Sequence, residues 1–104
     1  MELLYLLFLS GNNTVIVRNK KEYEDLKNVM KLLGKGKEFD TFGDYNYCKH
    51  LFEINGRSED YMIFEHQQYK GFTFGYDIQS SKDWYGLEPI EASDLVNEYR
   101  KVVS

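Results

Sequence analysis

The chain is poor in residues that build rigid or reactive sites. Its 104 residues include one Cys, one Pro, one Trp and two His. A single Cys cannot close an intramolecular disulfide, and it fits a reducing compartment. The longest apolar run, Leu3 to Leu9, falls far short of the roughly 20 residues that cross a bilayer. Positive charge is also scarce. Lys+Arg number 13 against 17 Asp+Glu, a formal charge of −4. That balance disfavours binding nucleic acid with the whole surface, because such binding rests on Lys and Arg neutralising phosphates.

Large rings, by contrast, are plentiful. Nine Tyr, seven Phe and the Trp make 16% of the chain aromatic. Such a chain can bury enough surface to offset its ordering entropy, which excludes intrinsic disorder. The expectation is one α+β domain over residues 1–104, located in the cytoplasm. The use of Lys, Asn, Tyr, Phe and Ile suggests AT-rich coding, as in a low-GC bacterium or its phages.

Residues 2–9 read as an interior strand. A signal-peptide core is disfavoured, because the leading charge is negative and no small-x-small cleavage pattern follows. Thr14-Val15-Ile16-Val17-Arg18 is β-branched and short. With Ser10-Gly11-Asn12-Asn13 between them, the two runs predict a hairpin. Asn19 and Glu22 form a capping pair. They open a helix over residues 20–33, with Tyr23, Leu26, Val29, Met30 and Leu33 on one face and Gly34 as its stop. Residues 34–44 read as a loop whose Phe39 and Phe42 return to the core.

Three strands are expected over residues 45–78. The first, residues 45–54, alternates Tyr45, Tyr47, Lys49 and Leu51 with Cys48, His50, Phe52 and Ile54. Asn55-Gly56 turns into residues 61–66, and Phe72, Phe74, Tyr76 and Ile78 mark the third. Residues 79–89 break periodicity. A last helix starts at Ala92 or Ser93, with Leu95, Val96, Tyr99, Val102 and Val103 on one face. Asp94 and Glu98 stand early and Arg100-Lys101 late, as the helix dipole prefers. The order is ββαβββα: a five-stranded, mostly antiparallel sheet with two helices packed on one face.

Few constellations carry chemistry. Cys48 and His50 would share a strand face, but Phe52 and Ile54 on that face mark it as core. His50 and His66, with Cys48 or Glu65, lack the tight spacing of a zinc set. Gly34-Lys35-Gly36-Lys37 follows a helix, the reverse of a phosphate-cradling loop. No catalytic residue, cofactor or metal is therefore expected. The charge layout says more. Residues 14–37 hold seven bases and three acids, and residues 38–98 hold four bases and thirteen acids. Segregated charge steers and orients a partner. Within the acidic part, Asp83-Trp84-Tyr85 and Glu88 combine anchoring rings with carboxylates. Glu59 and Asp60 add to that sign.

The expected function is a small acidic module that binds another protein with a basic surface. It would bind no nucleic acid directly and no membrane, and its oligomeric state is not readable. One form is a phage or mobile-element anti-defence protein, anti-CRISPR-like in kind. It would occupy a nucleic-acid-binding surface of a host protein, in the host cytoplasm. The alternatives are a small-molecule or nucleotide-binding module that uses the basic first helix and tyrosines, and a small hydrolase using His50, His66 or Cys48.

Overall fold

The computed structural model describes residues 3–11, 13–54, 60–67, 71–75, 78–86 and 88–103, with the side chains of Glu38, Ser80, Ser81, Trp84 and Tyr85 excepted. In chain order the elements are α1 (Leu4–Leu9), β1 (Asn13–Val17), α2 (Lys20–Leu32), α3 (Gly36–Asp40), α4 (Tyr45–Ile54), β2 (Met62–Gln67), β3 (Gly71–Phe74), α5 (Ile78–Tyr85), β4 (Ile90–Glu91) and α6 (Ala92–Val103). The protein is α+β, built on a mixed four-stranded sheet in the order β3-β2-β1-β4. β1–β2 and β2–β3 are antiparallel, while β1–β4 is parallel.

The first expected strand is a helix. Leu3 to Leu9 contains no β-branched residue, and leucine is a strong helix former, so the run coils where Thr14 to Val17 extends. Tyr5 and Phe8, three apart, are its buried pair. Tyr5 meets Tyr99 edge-on at 5.3 Å between ring centres, and Phe8 stacks on Phe72 at 5.5 Å. The Leu4 N–H donates to the Glu98 carboxylate, so α6 caps α1 from across the chain. No hairpin joins residues 2–9 to β1.

Residues 45–54 are helical too, which removes a second expected strand. Asp44 accepts a hydrogen bond from the Tyr47 N–H at 2.8 Å, an N-cap, and the buried pair Cys48 and Phe52 stands four residues apart. The alternation there coincides with a helical stripe, and the cap decides between them. Ile78, expected to end the third strand, and residues 79–85, expected to be irregular, form α5. It ends at Gly86, whose φ of +67° and N–H to the Lys82 carbonyl make a helix stop. The third expected strand accordingly stops at Phe74. The Asn55-Gly56 turn lies outside the described residues.

Other expectations match. α2 begins with the Asn19 side chain accepting from the Glu22 N–H at 2.9 Å, while Glu22 accepts from the Arg18 N–H at 3.0 Å. It buries Tyr23, Leu26, Val29 and Met30 and ends before Gly34, where φ is +82°. Phe39 and Phe42 do enter the core, but residues 34–44 are not all loop: Phe39 belongs to the short helix α3. α6 buries Ala92, Leu95 and Val96, but its Val102 and Val103 overshoot the core and are exposed.

The sheet has two dissimilar faces. Val15, Val17, Met62, Phe64, Phe72 and Ile90 join Tyr5, Phe8, Tyr23, Leu26, Phe39, Phe52 and Leu95 in one core cluster. Five helical segments (α1, α2, α3, α4 and α6) therefore contribute to one face, rather than the two expected helices. Strand alternation sends Ile16 and Ile63, in register with one another, to the other side. Both are buried, yet neither belongs to the cluster. α5 contacts β1, and none of its described side chains joins the cluster. Gly75 makes room for Ile63 across the strands. Its N–H donates to the Ile63 carbonyl at 2.7 Å, and a Cβ there would lie 2.6 Å from Ile63 Cγ2.

Candidate functional site

Two surfaces stand apart from the core, one around α5 and one between α2 and α3. On the α5 side, Asp83 is exposed and accepts a hydrogen bond from Gln79 Nε2 at 3.0 Å, one helical turn earlier. Glu88 follows the helix with its side chain 76% exposed and meets Lys82 Nζ at 2.9 Å. Trp84 and Tyr85 belong to α5 by backbone, and their side chains lie outside the described residues. Asp60 is exposed just before β2. Glu59 lies outside the described residues. The structure thus brings Asp83 and Glu88 to one end of one element.

On the helical side, α2 and α3 enclose a cleft of about 550 Å³. Lys27, Lys31 and Lys37 line it together with Asn28, Gly34 and Gly36, and Glu24 and Asp40 complete the wall. The carboxylates are engaged: Glu24 lies 4.0 Å from Lys20 Nζ and Asp40 lies 3.7 Å from Lys27 Nζ. Lys27 also donates to the Gly43 carbonyl at 3.1 Å. Among the described residues, neither Lys31 nor Lys37 has a carboxylate within ion-pair distance. The Gly34–Lys37 turn, expected to be a solvated stop, is a wall of this cleft. Its sequence announces glycines and lysines; the return of α3 against α2 supplies the concavity.

Folding partly undoes the segregation of charge along the chain. Arg18 holds Glu91 through two bonds of 2.7 and 2.9 Å, which keeps the guanidinium charged above even its ordinary range. Asp25 accepts from Lys21 at 2.7 Å and from Arg100 at 3.3 Å, and these cations, Lys21 foremost, hold its carboxyl below the usual value. Basic and acidic segments therefore neutralise one another at Arg18–Glu91, around the β1–β4 contact.

The thiol and imidazoles do not assemble. Cys48 is buried beside the Tyr23 hydroxyl, and burial pushes its thiol up to about 12, only partly offset by Tyr23 and Lys27. Burial, reinforced by Cys48, likewise raises the Tyr23 phenol, which donates to the Gly43 carbonyl at 2.6 Å. His50, two residues along α4, faces solvent, because neighbours two apart on a helix diverge. His66 is packed between Phe8 and Phe72, at 5.6 and 5.0 Å. Among the described residues, no group of three His, Cys, Asp or Glu is placed to hold a metal ion, and no helix is long and apolar enough to cross a membrane.

By architecture the chain belongs to the α+β class, with five helical segments packed against one face of a mixed sheet and a lysine-lined cleft between α2 and α3. No family model matches it, and no curated protein or solved structure matches it.

Proposed function

We propose that the protein is a small acidic binding module that seats Asp83, Trp84, Tyr85 and Glu88, flanked by Glu59 and Asp60, against a basic surface of another protein. One observation carries the reading. Asp83 and Glu88 stand exposed at the end of α5 and just after it, and neither lines the cleft that holds the lysines of α2 and α3. Carboxylates so placed present one sign to a partner, while the opposite sign is held in a separate cleft. The surface pair Lys82–Glu88 does not oppose this, because exposed ion pairs are worth little and exchange readily. A Trp and a Tyr beside the acids supply rigid contact area.

The partner best suited to such a surface is one that otherwise holds nucleic acid, with carboxylates standing where phosphates would. In its finer form the module is a phage or mobile-element anti-defence protein of the anti-CRISPR kind, acting in the host cytoplasm. The test is capture of a basic protein by the immobilised chain from a low-GC bacterial lysate, followed by competition with duplex DNA. DNA should release the partner, and both the Asp83→Lys/Glu88→Lys double variant and Trp84→Ala should fail to capture it. Undiminished capture by these variants, or a partner that DNA does not displace, contradicts the reading.

A second reading, a small-molecule binder, is favoured by the α2–α3 cleft, whose volume falls in the range of roughly 300–1,000 Å³ typical of ligand pockets.

A further inference from the structure

We infer that the α2–α3 cleft takes a phosphorylated small molecule of about mononucleotide size, with its phosphate held by Lys31 and Lys37; this rests on the small-molecule reading above. Four observations converge on it. First, the charge in the cleft is asymmetric. Three lysines there face two carboxylates, and neither Lys31 nor Lys37 has a carboxylate within ion-pair distance among the described residues. Two such cations favour a multiply charged anion over a neutral ligand, and phosphate monoesters carry more charge than carboxylates near neutral pH.

Second, the cleft is open where side chains are missing. Gly34, at φ +82°, has no heavy atom within 4 Å of where a Cβ would stand. A Cβ on Gly36 would come within 3.2–3.3 Å of the Lys31 backbone and stem. Glycine at 36 therefore lets the turn close on Lys31 and bring Lys37 to the same cavity. Third, the volume of about 550 Å³ is far larger than a lone phosphate needs. Lysine stems give such a wall apolar stretches between charges, suited to a ring or sugar body. Fourth, Asn28 offers an amide that both donates and accepts, the group type that reads a polar ring edge.

The lining includes neither Asp83 nor Glu88, so the two surfaces are distinct. Nor is it a phosphate-cradling loop ahead of a helix: lysine side chains and cavity shape carry the recognition, with no contribution from the short α3 terminus.

The test is an amide-resolved NMR titration with three probes: AMP, inorganic phosphate and adenosine. AMP should perturb amides across residues 24–40, inorganic phosphate should do so more weakly, and adenosine should leave them unchanged. Lys31→Ala/Lys37→Ala should weaken AMP by about tenfold or more, as expected for loss of charge-assisted contacts, and added salt should weaken the wild type. Lys101→Ala, on α6, should bind as the wild type does. The amide spectra of the variants report directly that they fold. Adenosine binding as tightly as AMP overturns the phosphate assignment while sparing the small-molecule reading. Inorganic phosphate binding as tightly as AMP overturns the mononucleotide-sized ligand. No response to any probe at millimolar concentration overturns both the inference and the reading beneath it.

Discussion

The two faces of the sheet are built on different principles. On one, rings interlock: Phe64 lies within 5.1–6.1 Å of Tyr23, Phe39, Phe42 and Phe74, centre to centre. On the other, Ile16 and Ile63 are buried outside that cluster, and Gly75 leaves room for Ile63. A strand residue thus experiences one environment or the other according to its parity, and a neighbour in sequence is no guide to its cost.

The largest expected difference comes from truncating adjacent residues of β2. Phe64→Ala should cost about 4 kcal/mol, because large-to-small changes leave a cavity that interlocked rings cannot close. Ile63→Ala should cost nearer 2 kcal/mol, the low end for an aliphatic truncation, because Ile63 lies outside the ring-rich cluster. Urea unfolding of the two variants checks this. Equal losses would mean that both faces are packed alike.

Alkaline titration should weaken the ring-rich face. The Cys48 thiol titrates at about 12 in the fold against an ordinary 9.0, and burial raises the Tyr23 phenol as well. A raised pKa favours the protonated fold, so this stability is complete below pH 9 and is lost as pH rises toward 12. Unfolding midpoints measured from about pH 8 to 11 should fall, and Cys48→Ala should flatten part of that fall. The same burial should keep Cys48 inert to iodoacetamide at about pH 8 until the chain unfolds.

Gly75→Ala should cost about 2 kcal/mol through overpacking against Ile63. In an Ile63→Ala background most of that cost should vanish, because the colliding Cγ2 is gone. A double-mutant cycle reads the coupling directly. Smallest of all, Asp44→Ala should cost about 1 kcal/mol by removing the cap of α4, whereas Asp44→Asn should keep nearly all of the stability, since asparagine caps about as well. Thermal unfolding of the two variants separates them.

Legibility follows how local each cause is. α2 is readable because its cap, stripe and glycine stop all lie within the segment and agree. β3 is readable from alternation, and β2 as the run that returns from the Asn55-Gly56 turn. α1 misleads because its hydrophobicity resembles an interior strand, while its lack of branching, the feature that decides, is the weaker signal. In α4 two periods compete, and Asp44 is the arbiter. α5 and the two-residue β4 owe their form to the sheet they meet, which no local pattern announces. The sites divide in the same way. The acidity around Asp83 and Glu88 is visible in sequence. The cleft is not, because it needs α3 folded against α2, and neither are the pairs Arg18–Glu91 and Asp25–Arg100 that cancel charge between distant segments.

The division of the sheet into two faces is most directly tested by NOE measurements on protein labelled at the isoleucine methyl groups. The account predicts contacts from the Ile63 methyls to the Gly75 protons, and none from Ile16 or Ile63 to the rings of Tyr23, Phe39 or Phe64. Strong contacts from Ile63 to those rings, with none to Gly75, would contradict it.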